Sequence, residues 1–244
     1  MEEGFTLSFN KSKHMGNLIK DYEFFARSEY NIGSNTLNDY KKYLITTSGY
    51  IEPYILEERQ MNVTQMSVFS RLFKERILFL GTEINSDSAN IIISQLMYLN
   101  SIDDNDDIKL YINSPGGSVN SGLAILDTMN LCEADVSTYC IGMCASMGAV
   151  LLSSGEKGKR YGLPHSEVMI HQPSTGIGRI KAMDLQVEYE QMEKCKNTLY
   201  NILAENTGKD FNEIAELCKL DKWYTADEAV DFGLIDSVIR KMSK

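Results

Sequence analysis

The sequence predicts an α/β domain built on a mainly parallel sheet, and three observations carry that prediction. Short apolar runs (Ile108 to Asn113, Val136 to Ile141, Glu167 to His171) each stop at a turn rich in small residues or proline. The first two then give way to segments with helical spacing, so strand–turn–helix units repeat along the chain. The chain has 244 residues, 43% of them hydrophobic, which is enough for a sizeable core.

Residues 1–49 differ from the rest and are expected to form an N-terminal extension, either a docking arm or a removable propeptide. Asn17 to Tyr30 has amphipathic helical spacing, and Ser34 or Asn35 is placed to cap a second helix running toward Gly49. From residue 50 to 244 the pattern is that of one domain. Tyr50 to Ile55 is extended, because Pro53 biases its predecessor away from the helical region. Val68, Leu72 and Phe73 mark a short helix, Ile77 to Leu80 a strand that stops at Gly81, and Ser86 the cap of a helix. Along that helix Ala89, Ile92, Ile93, Leu96 and Leu99 recur at helical spacing.

The aspartates within residues 103–107 lack the central glycine and closing glutamate of an EF-hand, and so read as a solvated turn. Leu123, Ile125, Leu126 and Met129 give the helix after Gly116-Gly117, and the strand from Val136 passes through Gly142 into the helix that contains Ser146. Beyond His171, Thr175 to Ile180 is a glycine-containing strand or loop leading to a long helix from about Ala182 to Asn206, closed by Gly208. Phe211, Ile214 and Leu217 make another helix. Thr225 and Glu228 form a capping box, Gly233 ends that helix, and Leu234 to Ile239 is the last strand.

The net charge of -10 argues against electrostatic binding to nucleic acid or to an anionic membrane. No apolar run approaches the roughly 20 residues that span a bilayer, and the acidic N-terminus lacks a signal-peptide core, so a cytoplasmic protein is expected. Cys132, Cys140, Cys144, Cys195 and Cys218 form no CxxC pair and are expected to be buried free thiols, with no metal and no cofactor in this chain.

Ligand sites in such folds gather at the carboxyl ends of strands. Gly116-Gly117, Ser146 and His171 all fall there. A hydroxyl at a helix mouth lies beside outward-pointing N–H groups that can stabilise an oxyanion, and a histidine can take the hydroxyl proton. Gly117 fits as an oxyanion donor, since a glycine lets a carbonyl approach the main chain. Asp221 can orient the imidazole, but by position alone Asp227 and Asp231 serve as well. The serine is not in a G-x-S-x-G elbow, because Cys144 stands at its first glycine position.

Tyr111-Ile112-Asn113-Ser114-Pro115-Gly116-Gly117-Ser118, Gly142-Met143-Cys144-Ala145-Ser146-Met147-Gly148 and Met169-Ile170-His171-Gln172-Pro173 resemble the ClpP family, the proteolytic subunit of ATP-dependent caseinolytic protease. So does Tyr224 to Ala229 with Gly233 to Asp236, and the resemblance runs from about Glu57 to Arg240. It implies Ser146 as nucleophile, His171 as base and Asp221 as orienting acid, with Gly117 and the Met147 N–H as the oxyanion hole. It implies a crotonase-like ββα-spiral with a protruding strand–helix handle, self-assembly into two stacked heptameric rings, and unfolded polypeptides as substrates. A partner AAA+ Clp ATPase, the unfoldase that uses the ATP, would deliver them.

Two other classes of function stay in view: a ring subunit that has lost activity, and an acyl-CoA enzyme of the crotonase fold, which would not need the triad. Three departures stand out. Cys144 replaces an alanine, Arg179 and Lys181 alter the glycine strand, and Lys219-Leu220 replace an acid–arginine pair that bridges the rings. Leucine cannot make that ion pair, so a weaker or differently controlled double ring is expected.

Overall fold

The computed structural model describes residues 54–59, 62–102, 105–176 and 181–241, nearly all of them in the second of two units, Leu56–Lys244. The two helices expected before Gly49, Asp103 and Asp104 of the acidic turn, and Ile177 to Ile180 of the glycine strand lie outside the described residues. Elements follow in the order β1 (Tyr54–Arg59), β2 (Asn62–Ser67), α1 (Val68–Lys74), β3 (Ile77–Leu80), α2 (Ser86–Ile102), β4 (Ile108–Ser114), α3 (Val119–Leu131), β5 (Val136–Ala145) and α4 (Met147–Ser153). Then come β6 (Arg160–Gly162), β7 (Glu167–Ile170), α5 (Ala182–Thr207), α6 (Phe211–Leu217), β8 (Lys222–Thr225), α7 (Ala226–Phe232) and β9 (Ser237–Val238). This is the expected crotonase-like ββα-spiral.

β1 and β2 form a small sheet of their own, and the main sheet has the order β3-β4-β5-β6-β9, parallel throughout. β7 branches from β5 in parallel, and β8 pairs with β7 antiparallel. The branch arises because β5 is long. Thr138 to Cys140 pair with β6, whereas Met143 to Ala145 pair with β7.

Residues alternate across a strand. In β4, Ile108, Leu110 and Ile112 are buried against the helices. Tyr111, on its opposite face, stacks in a ladder with Phe79, Tyr139 and Tyr161 at centroid spacings of 5.3, 4.4 and 4.9 Å. The core adds Leu78 and Leu80 of β3, Ile92 and Leu96 of α2, and Leu151 and Leu152 of α4. Burying each such side chain stabilises the fold by about 1.5–3 kcal/mol.

Some boundaries differ from expectation. α2 is capped by Asn85, whose Oδ1 accepts from the Asp87 and Ser88 N–H groups, not by Ser86. The strand expected to end near Gly142 runs on to Ala145 through a bulge. Ile112 pairs with Cys140 but Ser114 pairs with Cys144, so β5 carries two extra residues there. Gly142 bends that loop at φ 76°, with Asn113 Oδ1 accepting from the Met143 N–H at 3.2 Å. β2, β6 and β8 had no forecast in the sequence, and the final strand shrinks to two residues. The capping box is formed on both arms, and Gly208 and Gly233 end their helices in the left-handed conformation.

Arg160 and Asp236 lock β6 to the chain end. The guanidinium donates to both Asp236 oxygens, at 2.6 and 2.9 Å, and to the Ser153 and Asn206 carbonyls. The first half of α5 exposes Met183, Val187 and Tyr189, while Leu199, Tyr200 and Leu203 in its second half are buried. α5 therefore joins the core only over its carboxyl half.

Candidate active site

The three predicted side chains meet because of strand pairing. β5 and β7 run parallel with Ala145 opposite Met169, and the Ser146 N–H donates to the Met169 carbonyl at 2.8 Å. The antiparallel register of β7 and β8 sets Ile170 opposite Lys222. Carried one residue further, it sets His171 opposite Asp221. His171 Nδ1 is 3.0 Å from Asp221 Oδ1, and His171 Nε2 is 2.8 Å from Ser146 Oγ.

The carboxylate only accepts, so Nδ1 carries the hydrogen and Nε2 of the neutral ring accepts from the serine hydroxyl. Those are the tautomer and direction that proton removal from Ser146 needs. Asp227 and Asp231, the alternatives open at sequence level, sit elsewhere. Asp227 pairs with Arg240, and Asp231 lines a groove with Trp223 and Phe232.

Ser146 has φ 55° and ψ -122°, a conformation that side-chain-bearing residues rarely adopt. Such strain is held only where the surroundings over-determine it. Here Ser146 is pinned by its N–H bond to Met169 and by its carbonyl, which accepts from Ala149 and Val150. Met147, the first residue of α4, has an N–H without an intrahelical acceptor.

The glycine turn lies against this serine. A Cβ on Gly116 would stand 2.7 Å from Ser146 Cβ and 3.0 Å from Met147 N, so no other residue fits. Gly116 O accepts from Ile84 N at 2.8 Å, and Ser118 N donates to Ile84 O at 2.7 Å. Gly117 is thus the bridge partner of Ile84. Because the peptide is planar and trans, the Gly117 N–H points opposite to the Gly116 carbonyl, away from Ile84. That leaves it exposed as a donor.

A small cavity of about 20 Å³ adjoins Ser146 and His171, lined by the apolar Val119, Val150, Ile170, Leu199 and Leu203. Nearby thiols are not configured as nucleophiles. Burial pushes the Cys144 thiol well up, and burial raises Cys218 to about 11. A hydrogen bond with Cys144 lowers the Cys140 thiol, but its side chain is fully buried. All five cysteines are free, with Cys132 and Cys195 only half-buried. Among the described residues no group of three or more His, Cys, Asp or Glu could hold a metal, and no helix is long and apolar enough to cross a membrane.

Several contributors escaped sequence reasoning: Ile84, which anchors the glycine turn, and Asn113, which supports the bulge. Gln172 is another; its N–H donates to Cys218 O at 2.7 Å and its Nε2 to Lys219 O at 3.3 Å, tethering the Asp221 loop. Asn113 and Gln172 stand inside the motif stretches, but none of the three roles has a local sequence signal, since each acts through a contact with a distant segment.

Comparison with known proteins gives a consistent result. Residues 59–242 match the family model described as Clp protease. A protein of Bacteroides fragilis named ATP-dependent Clp protease proteolytic subunit is 48% identical over 223 residues, covering 91% of this chain and 100% of that protein. Proteins of the same name from Bacteroides thetaiotaomicron and Porphyromonas gingivalis are 47% and 45% identical, each covered over its full length.

Proposed function

The chain belongs to the Clp protease family, and from that premise we propose that it is the proteolytic subunit of an ATP-dependent Clp protease, a serine-type endopeptidase. The observation that carries the chemistry is the continuous relay Ser146 Oγ–His171 Nε2, His171 Nδ1–Asp221 Oδ1, at 2.8 and 3.0 Å.

Ser146 attacks the scissile carbonyl while His171 Nε2 takes its proton. The oxyanion is received by the Gly117 and Met147 N–H groups. His171 then passes the proton to the leaving amine, and the acyl-enzyme is hydrolysed by a water that the same nitrogen deprotonates. Asp221 holds the tautomer and stabilises the imidazolium.

The substrates are unfolded polypeptides, delivered by a Clp ATPase that does the ATP-driven work. The catalytic body is residues 50–244, assembled as two stacked seven-membered rings in the cytoplasm, with residues 1–49 as an extension. Leu220, 80% exposed beside Asp221, offers no ion pair across the rings. The double ring should therefore loosen on dilution, and light-scattering mass would detect it.

The decisive test is Ser146→Ala. Hydrolysis of short fluorogenic peptides should vanish while assembly persists, and a fluorophosphonate should add one label to the wild-type chain and none to the variant. Undiminished turnover in Ser146→Ala would remove Ser146 as nucleophile. An unlabelled, inactive wild type would point to a ring subunit without activity.

A further inference from the structure

Ser114 lies at the end of β4, fully buried, in the turn that leads to the glycine pair. Its hydroxyl donates to the Thr82 carbonyl at 2.6 Å and accepts from the Gly116 N–H at 3.1 Å. The Gly116 carbonyl is held by the Ile84 N–H at 2.8 Å. Gly116 is therefore gripped at both ends, its N–H by Ser114 and its C=O by Ile84. The residue itself, at φ 92°, has little intrinsic preference to hold that shape, because a glycine backbone is permissive. The carbonyl belongs to the peptide that carries the Gly117 N–H and the Gly116 N–H to the peptide before it, so the two bonds together fix the rotation about Gly116.

We propose that Ser114 is a positioning residue for catalysis: its buried hydroxyl ties the Pro115–Gly116 peptide to the Thr82 carbonyl, fixing Gly116 on the side that Ile84 does not hold, and so helps aim the Gly117 N–H at the developing oxyanion. The inference rests on the serine-peptidase reading of Ser146. Ser114 itself does not reach the substrate; it acts through Gly116.

Without the hydroxyl, the buried Gly116 N–H and the Thr82 carbonyl both lose this partner, a costly state that the turn relieves by rotating. That rotation tilts the Gly116 carbonyl against Ile84 and the Gly117 N–H with it, so the donor is misaimed rather than lost. Losing such a donor outright lowers turnover by about 10²–10³-fold, so Ser114→Ala should lower kcat about tenfold or somewhat more. KM for a short peptide should stay within about twofold, because ground-state binding does not use the oxyanion geometry.

The experiment compares wild type, Ser114→Ala and Ser114→Cys as full chains. It measures kcat and KM on a fluorogenic peptide, and the affinity of a peptide boronate, whose tetrahedral anion occupies the oxyanion position. The affinity of the matching product peptide is measured alongside. Expected is a loss of boronate affinity parallel to the loss in kcat, product affinity unchanged, and an intermediate value for the cysteine, whose thiol is a weaker partner. If Ser114→Ala does not fold, Ser114→Cys alone must show the parallel loss. Wild-type kcat and boronate affinity in the folded variants would overturn the proposal, as would equal losses of boronate and product affinity. A wild type that is neither active nor labelled by fluorophosphonate would instead overturn the serine-peptidase reading.

Discussion

Replacing Gly117 by alanine tests the oxyanion assignment directly. The new Cβ would stand 2.2 Å from the Ile84 carbonyl oxygen and 2.9 Å from Ile84 N. Non-bonded carbon atoms settle near about 3.5 Å from their neighbours, so the turn must retreat by roughly 1 Å. The backbone cannot absorb this by rotation, since φ 146° is itself unfavourable for any residue with a side chain. The bonds to Ile84, at 2.8 and 2.7 Å, would stretch beyond useful length.

A misplacement of about 1 Å costs on the order of 10²-fold in rate, or about 3 kcal/mol of barrier. The expected outcome is kcat reduced by at least about 10²-fold with KM little changed. Steady-state hydrolysis of a fluorogenic peptide reads the rate, and a thermal melt shows that the fold persists. Gly81→Ala is the control, because a Cβ there meets nothing within 4 Å. A Gly117→Ala protein with kcat within about threefold of wild type would refute the oxyanion-hole geometry.

Asp221→Asn should lower kcat by about 10³-fold, somewhat less than the roughly 10⁴ seen where such an aspartate is buried, since this side chain is 63% exposed; peptide turnover with intact-mass labelling checks it. Asp236→Asn should lower stability at neutral pH by about 3 kcal/mol, because it breaks a largely buried pair with Arg160; urea unfolding checks it. Burial alone would raise the Asp236 carboxyl, but Arg160 and the backbone N–H donors of Arg160 and Gly158 hold it below the ordinary range. Its folded pKa is thus depressed, so its contribution is fully present above the unfolded value of about 4 and is lost as pH falls from there through the lower folded value. The asparagine variant should show a correspondingly flatter acid limb.

The parts of this molecule that were legible in the sequence are those written in local patterns. Apolar period and glycine stops gave β3, β4, the helices and the strand ends that carry Ser146 and His171. Thr225 and Glu228 announced their capping box. Asp221 was not legible from position, because what selects it over Asp227 and Asp231 is the antiparallel pairing of β7 with β8, a contact between segments some fifty residues apart. The family resemblance supplied it instead. Gly142 read as the end of a strand because a glycine at positive φ usually breaks one. The side chain that lets the strand continue, Asn113, belongs to the neighbouring strand.

The bulge in β5 has a consequence for what insertions and deletions this chain can tolerate. Between Cys140 and Cys144, β5 advances four residues while β4 advances two from Ile112 to Ser114. The excess is even, so the strand leaves the bulge with the parity it had on entering, and Ser146 arrives on the same side as if no bulge existed. Removing one residue from 141–143 would invert that parity and turn the serine away from His171, with the fold otherwise intact. Removing two would restore a regular ladder and keep the hydroxyl on the correct side. The arithmetic of a bulge a few residues ahead of Ser146 therefore sets whether the nucleophile faces its base.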